Sequence, residues 1–283
     1  MRLAVVYVQY NTQKYPDSLR KLRSYLSKAR GLKPVYVVVD NRDEGDGWHV
    51  GDDNSFYLQG NNRDREFSGW QLGIDFLHER NIKCDVILFV NEAFESIRPS
   101  YLEKRSVKWL TLKSMFLHAV IGYVDTVWEK GRINGRVSRI WVNTNCFFMP
   151  AALTYRLGDL VSIDSDAIAN YLPEKFPGYE SVFVDDAPID RVYRRRIIRW
   201  LTEEWHSRFE LTDATWPLFR AKAIAILNEA LLSIRIRDLG APILPDSVPF
   251  FFLRKARGLI RKLRRSIVKG ADSTESLFSG RAL

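Results

Sequence analysis

The chain has 283 residues, of which 46% are hydrophobic and 13% aromatic; this suits one large α/β domain and excludes a mostly disordered protein. Its two cysteines, Cys84 and Cys146, form no Cys-x-x-Cys pair, which argues against a disulfide framework and a structural zinc site. We find no apolar run of the ~18–20 residues that a membrane-spanning helix needs and no signal-peptide pattern, so we expect a cytoplasmic protein.

The net charge of +9 is concentrated in one segment. Residues 250–269 contain eight Lys or Arg residues and no acid, which leaves a net charge of +1 for the rest of the chain. The basic character therefore belongs to this segment, and the body of the protein is nearly neutral.

In the first half, four apolar runs predict strands, and three of them are rich in Val or Ile. They lack alternation of polar and apolar residues, which is typical of a parallel sheet covered on both faces. Helices between them are predicted from apolar residues at helical spacing, such as Leu19, Leu22 and Leu26. The predicted strands cover 3–10, 35–41, 55–59 and 86–92, the helices cover 19–29 and 66–80, and a polar loop covers 42–54.

The second half has a less regular pattern. A helix is predicted over 107–120, strands over 121–128 and 139–149, and a turn over 131–135. Further elements are predicted as helices over 151–157, 165–172, 190–206, 215–238 and 250–269, a loop over 174–186, a proline-containing linker over 241–249 and a disordered tail over 270–283. Together, the predicted elements of both halves indicate an α/β fold, a Rossmann-type three-layer sandwich with a C-terminal helical region.

Polar residues follow two of the predicted strands where each strand ends. Asp40 and Asn41 end one strand, and Asn91 and Glu92 end another. Because ligands of open parallel sheets bind beyond the carboxyl ends of the strands, these side chains are candidate ligand contacts. The alternative is that they only end their strands as turn-forming or polar residues.

The segment from Gly60 to Trp70 predicts a loop that opens a helix. Arg63 and Arg65 precede the helix, an arrangement typical of phosphate sites, although two solvated arginines are the alternative. The pattern is neither GxGxxG nor a Walker loop. Gly69 inside a helix costs about 1 kcal/mol relative to Ala, which indicates the close approach of a ligand or of a neighbouring strand.

Three motifs occur in an informative order: Val-Val-Asp-Asn at 38–41, Glu-Phe-Ser-Gly-Trp at 66–70 and Phe-Val-Asn-Glu at 89–92. Together they resemble GT-A-fold glycosyltransferases, particularly bacterial enzymes of O-antigen and capsular polysaccharide assembly. The resemblance implies a GT-A-like fold, with 1–150 as the nucleotide-sugar-binding half and 151–240 as a mostly helical acceptor-side half. The residues that it implies for contact with a nucleotide-diphospho-sugar are Gln9, Asn11, Thr12, Asp40, Asn41, Arg65, Ser68, Gly69, Trp70, Asn91, Glu92, Asn143 and Asn145.

The metal-binding DxD element of that family corresponds to Asn91-Glu92-Ala93 in this chain. Asn replaces the first acid and Ala the third residue, so Glu92 is the candidate ligand for Mg²⁺ or Mn²⁺, and metal dependence stays open. Asn143-Thr144-Asn145 interrupts an apolar strand. The resemblance implies contact with the donor sugar there, whereas a β-bulge or an edge strand is the alternative.

Inverting sugar transfer requires a carboxylate that deprotonates the acceptor hydroxyl. The resemblance implies that this base lies in a loop before a helix of the second half, where Asp185 and Asp186 stand. Capping of that helix is the alternative role for the pair. A retaining mechanism, which needs no such base, stays open.

The basic segment 250–269 predicts an amphipathic helix, with apolar residues such as Leu253, Ile260 and Leu263 at helical spacing. This pattern is typical of helices that bind an anionic membrane surface. Nucleic acid is disfavoured as a partner because the rest of the chain is nearly neutral and shows no nucleic-acid module. A solvated or protein-bound helix is a third possibility.

We therefore expect a peripheral enzyme at the inner face of the plasma membrane. It would move a hexosyl or deoxyhexosyl group, with inversion, from a nucleotide-diphospho-sugar to a growing, lipid-linked bacterial surface glycan. The alternative is a non-catalytic GT-A-like scaffold of a polysaccharide assembly complex.

Overall fold

The computed structural model describes residues 1–42, 47–52, 54–97, 102–103, 105–205 and 207–247. Residues 1–245 form one compact unit, so both predicted halves, 1–150 and 151–240, belong to the same unit. The predicted basic helix 250–269 and the predicted tail 270–283 lie outside the described residues.

The first half of the described chain is built of strands and helices in turn, and a long helix followed by one short strand closes the second half. The strands are β1 (Leu3–Gln9), β2 (Val35–Asp40), β3 (Trp48–Gly51), β4 (Ser55–Gln59), β5 (Val86–Asn91), β6 (Val120–Ile133), β7 (Arg136–Pro150) and β8 (Ile243–Pro245). The helices are α1 (Ser18–Ser27), α2 (Glu66–Glu79), α3 (Phe94–Ile97), α4 (Val107–Leu117), α5 (Ala151–Leu157), α6 (Arg191–Arg199) and α7 (Trp216–Asp238). A π-helical turn, Trp200–Glu204, continues α6, and short 3₁₀ turns lie at Ala167–Asn170 and Tyr179–Ser181.

The eight strands form one mixed sheet in the order β3-β4-β2-β1-β5-β7-β6-β8. Strands β4, β2, β1 and β5 are parallel neighbours, whereas β7 runs antiparallel to both β5 and β6. The chain moves from β1 to β2 on one side, and β5 lies on the other side of β1. This reversal of strand order opens a crevice at the carboxyl ends of β1 and β5, where ligands of such sheets bind.

Helix α2 lies close against β1 because two of its residues are glycines. A Cβ atom at Gly73 would lie 2.4 Å from Val6 Cγ1, and one at Gly69 would lie 2.9 Å from Val8 Cγ1. Atoms do not approach so closely, so the absence of a side chain is what lets the helix pack here. The close neighbour that Gly69 indicated is therefore a strand of the sheet.

The α/β sandwich and its C-terminal helical region are confirmed, with differences at the sheet edges. Strand β3 lies inside the predicted polar loop, where it pairs with β4. Strand β8 lies inside the predicted linker 241–249, and it pairs in parallel with β6. The buried Lys113 donates from Nζ to the Pro245 carbonyl at 2.7 Å, which fixes β8 against α4.

Two predicted helices of the second half also differ. The segment predicted as a helix over 190–206 changes to π-helical geometry after Arg199, and the segment 165–172 forms only one 3₁₀ turn. Within the described residues, every helix is too short or too polar to cross a bilayer.

Candidate functional site

The ends of β1 and β2 carry a hydrogen-bonded polar group at the carboxyl edge of the sheet. Gln9 Nε2 donates to Asp40 Oδ2 at 2.9 Å, Arg42 Nε donates to Asp40 Oδ1 at 2.8 Å, and Arg42 also donates to Thr12 Oγ1 at 2.8 Å. Burial alone would raise the pKa of Asp40, but the bonds from Arg42 and Gln9 outweigh it and hold this pKa below its usual value. Asp40 is therefore held ionised and in a fixed orientation at this edge.

Glu92 ties the end of β5 to the loop after β1. Its two carboxylate oxygens accept from the backbone amides of Tyr10 at 2.9 Å and Asn11 at 2.6 Å, and Ser18 Oγ donates to its carbonyl at 2.7 Å. Burial raises the pKa of Glu92, and the two amide bonds offset the rise only in part. The carboxylate thus occupies an anion-binding position built from backbone amides.

These contacts do not fit a divalent cation at Asn91-Glu92-Ala93. Both oxygens of Glu92 are engaged by amides, and Asn91 Oδ1 accepts from the amide of Ala93 at 3.1 Å. Mg²⁺ and Mn²⁺ need several oxygen ligands directed at one point. Within the residues that the structure describes, no group of three or more His, Cys, Asp or Glu side chains could hold a metal ion.

Replacing Glu92 by glutamine is expected to lower the free energy of unfolding by about 1–3 kcal/mol. One backbone amide would keep an acceptor, while the other would face the new amide donor without a partner in a buried place. Urea unfolding monitored by circular dichroism measures the change. The exposed Glu203→Gln is the matched control and should change stability by less than about 0.5 kcal/mol. A similarly small change in Glu92→Gln would contradict the structural role.

The loop before α2 is fixed around the backbone of Arg65. This residue has φ of 60°, a value uncommon for a side chain of this size, and its carbonyl accepts from Asn41 Nδ2 at 2.9 Å and Ser68 Oγ at 3.1 Å. Asn41 is buried and Gly60 packs on it: a Cβ at Gly60 would lie 2.0 Å from Asn41 Oδ1. Asn41 and Ser68 therefore hold the loop that positions Arg65.

Two of the predicted ligand contacts belong to the core instead. Trp70 is fully buried, packs edge-on against Phe89 and Phe147, and donates from Nε1 to the Val90 carbonyl at 3.4 Å. Gly69 is covered by β1, as described above. The face of α2 that carries these two residues packs on the sheet, so neither presents a surface to a nucleotide-sugar in this structure.

A bulge in β7 lies beside the carboxyl end of β5. From Gly122 to Val124, β6 advances two residues, whereas β7 advances five, from Phe147 to Val142. Residues 143–146 therefore leave the ladder with β6, and the bulge considered for Asn143-Thr144-Asn145 is present. Bulges redirect side chains and are frequent next to active sites, so this geometry is compatible with ligand contact.

The bulge forms one wall of a cavity of about 660 Å³. Asn143 and Asn145 line it from β7, Lys222 and Glu229 from α7, and Glu66 from the first turn of α2. Other walls come from β6 and from α6 with its π-helical turn. The volume lies in the range of about 300–1,000 Å³ that is usual for small-molecule sites.

Glu229 is a titratable group in this wall. Burial raises its pKa to about 8; the negative charges of Asp125 and Glu66 add to the shift, and the hydrogen bond that Oε2 accepts from Thr144 Oγ1 at 3.0 Å offsets part of it. A carboxyl group with this pKa gains and loses a proton near neutral pH. That is the property required of a general base or acid.

Lys222 stands two helical turns before Glu229 on the same face of α7. Burial lowers its pKa, the nearby positive charges of Arg65 and Lys14 lower it further, and Glu66 opposes them. The three cations thus lie close enough for their charges to interact. Glu66 lies close to them as well, and the Arg65 carbonyl, which accepts from Asn41 Nδ2, connects this side of the cavity to the carboxyl edge.

The structure brings together most of the predicted contact residues but not the predicted base. Asp185 and Asp186 are exposed in the loop before α6 and are not part of the cavity wall. The N-cap of α6 is Asp190, which accepts from the Tyr193 amide at 2.8 Å. Glu229 and Lys222 were missed by the sequence analysis. The feature of the sequence that could have indicated Glu229 is the polar Asn228-Glu229 pair inside the apolar run of α7.

Comparisons with known proteins add little to this geometry. The chain matches no family model and no curated protein. Among solved structures, the bifunctional IspDF from Campylobacter jejuni is similar with a TM-score of 0.34 and 8% sequence identity, over 56% of this chain and 43% of that one. The chain thus spans less than half the length of that protein, and a similarity this weak carries no conclusion about function.

Proposed function

We propose that this chain is an inverting glycosyltransferase that uses a nucleotide-diphospho-sugar. The observation that carries the proposal is Glu229, a carboxyl group with a pKa of about 8 in the wall of a cavity that the bulge at Asn143 and Asn145 joins to the carboxyl edge of the sheet. The motif resemblance to GT-A-fold enzymes supports the same reaction class.

The donor would lie across the carboxyl edge. Asp40, held by Gln9 and Arg42, would accept from a hydroxyl of the ribose or from the base. The diphosphate would face Arg65 and Lys222, whose charges would stabilise it without a metal ion. The sugar would then point into the cavity.

The chemical step is a direct displacement. The acceptor hydroxyl oxygen forms a bond to the anomeric carbon, and its proton passes to the carboxylate of Glu229. The bond from the anomeric carbon to the diphosphate oxygen breaks, and its electron pair leaves with the nucleoside diphosphate. Arg65 and Lys222 would stabilise the charge that develops on that leaving group.

The acceptor and the location are part of the same proposal. The resemblance to O-antigen and capsule enzymes supports a lipid-linked bacterial surface glycan as acceptor. The eight basic residues of 250–269 support attachment to the anionic inner face of the membrane, where each contributes about 1 kcal/mol.

Calorimetric titration with UDP-, GDP-, dTDP- and CMP-sugars, with Mn²⁺ and with a chelator, tests the donor side. We expect one nucleotide class to bind, with the same affinity in both conditions, because Glu92 is engaged by amides. Lys222→Ala should weaken this binding, and Lys175→Ala, an exposed lysine outside the cavity, should not. Failure of every nucleotide to bind the folded protein would favour the scaffold alternative.

A further inference from the structure

A second bulge in the same hairpin presents a tryptophan at the mouth of the cavity. From Thr126 to Gly131, β6 advances five residues while β7 advances only two, so residues 127–130 leave the ladder. Trp128 lies in this bulge and is 93% exposed, although it lines the cavity. Such a side chain contributes little packing to the fold, and its ring is accessible to a ligand in the cavity.

A second tryptophan lines the cavity from the helical side. Trp200 is 45% exposed and begins the π-helical turn after α6, in which its carbonyl accepts from the Trp205 amide at 2.8 Å. Short π-helical turns inside helices occur frequently at functional sites. Trp128 and Trp200 therefore come from two irregular segments on different elements and line one space.

The charged groups that the structure describes at this end of the cavity balance one another and leave no free cation for an anion. Glu129 and Glu204 line it, and its two arginines are already engaged. Arg196 donates to the Glu129 carbonyl at 2.7 Å, and Arg199 Nε pairs with Glu204 Oε1 at 2.8 Å. A phosphate or a uronic acid would have to displace one of these contacts in order to pair with an arginine.

Aromatic faces beside carboxylates suit a neutral sugar. The C–H groups of a pyranose ring carry slight positive charge and pack on the negative face of an indole. The sugar hydroxyls donate to carboxylate oxygens, which only accept. A cavity of about 660 Å³ has room for a ligand of the size of a disaccharide.

We propose that the Trp128–Trp200 end of the cavity is the acceptor subsite and binds the terminal neutral disaccharide of the acceptor glycan. This inference rests on the proposed function and adds the chemical class of the acceptor. Its hydroxyl would enter the cavity toward Glu229, while the tryptophans hold the sugar rings at the mouth.

Saturation-transfer NMR with the full-length chain, without any nucleotide, tests the subsite. The probes are maltose, cellobiose, lactose and N,N′-diacetylchitobiose as neutral disaccharides, and digalacturonate as the acidic one. We expect transfer to at least one neutral disaccharide and none to digalacturonate. Trp128→Ala and Trp200→Ala should each weaken binding by about 2- to 12-fold. Trp109→Ala is the control, because Trp109 is 47% exposed on α4 and is not part of the cavity wall.

Three results would overturn the inference: no transfer to any neutral disaccharide, equal transfer to digalacturonate, or binding by Trp128→Ala equal to that of the unmodified chain. Trp128→Ala should fold normally, because the side chain is almost fully exposed. Nucleotide titration separates this result from the proposed function. Donor binding without disaccharide binding removes the subsite alone, and disaccharide binding without donor binding removes the transferase proposal alone.

Discussion

Glu229→Gln is expected to slow glycosyl transfer by about 10²- to 10⁴-fold while leaving the affinity for the nucleotide-sugar unchanged. Glutamine keeps the size of the side chain and an oxygen that can accept from Thr144 Oγ1, but it cannot take the proton of the acceptor hydroxyl. Initial rates of nucleoside diphosphate release, together with calorimetry of the donor, measure the two quantities separately.

The pH profile gives a readout that a purely structural role would not change. The base must be ionised, and a carboxyl group with a pKa of about 8 loses its proton as the pH rises. The rate of the unmodified enzyme should therefore rise about tenfold from pH 6 to pH 7 and level off above pH 8. The residual rate of Glu229→Gln should lack this rise.

Stability should change with pH in the opposite direction. Between pH 4.5, the ordinary pKa of the group, and pH 8, the folded state holds a proton that the unfolded state has released. The free energy of unfolding therefore falls as the pH rises through this window, by up to about 1.4 kcal/mol per pH unit. This part of the slope should disappear in Glu229→Gln and remain in the exposed control Glu203→Gln.

A well-folded Glu229→Gln with the rate and the pH profile of the unmodified enzyme would exclude Glu229 as the base. Asp185 and Asp186 would then return as candidates, and their paired replacement by asparagine would be the next measurement. Loss of donor affinity in Glu229→Gln would instead indicate that the side chain shapes the donor site.

The strands that carry the carboxyl edge could be predicted from the sequence because their signal is local. β1, β2 and β5 are buried on both faces, so their residues are apolar without alternation, and each strand ends at a polar residue. The ligand-binding edge follows from those ends by the general geometry of parallel sheets. Gln9 and Asp40 are found there, in contact with each other.

The cavity could not be predicted because it depends on contacts between distant segments. Glu229 lies in the middle of a helix, where an acid usually indicates only a solvated face. Its raised pKa comes from burial against the β7 bulge, where it accepts from Thr144, 85 positions away in the chain. The bulges leave no local pattern either, because they are defined by the register between two strands.

Strands β3 and β8 escaped prediction for a different reason. Both are short, and both are strands of the sheet edge, held by pairing to a single neighbour. The residues around Trp48 are rich in Asp and Gly, and Pro245 ends β8, so local propensity opposes a strand in both places. The pairing of β3 with β4 and of β8 with β6 outweighs this unfavourable propensity.

Asn228→Ala is expected to lower the free energy of unfolding by about 3–5 kcal/mol. Asn228 is 1% exposed on α7 and satisfies three backbone groups of one loop. Its Oδ1 accepts from the amides of Ser162 at 2.8 Å and Ile163 at 2.7 Å, and its Nδ2 donates to the Ile163 carbonyl at 2.8 Å. Alanine would leave all three without that partner, and urea unfolding measures the loss.

The losses of stability in a second variant and in a control variant test this explanation. At about pH 4 or below, a protonated Asn228→Asp side chain keeps an acceptor for both amides and a hydroxyl donor for the Ile163 carbonyl, so it should be less destabilised than Asn228→Ala. Asn170→Ala, at an exposed asparagine, should change stability by less than about 0.5 kcal/mol. Equal losses in both Asn228 variants would show that the amide bonds contribute little. Because Asn228 directly precedes Glu229, the same contacts fix the part of α7 that presents the candidate base to the cavity.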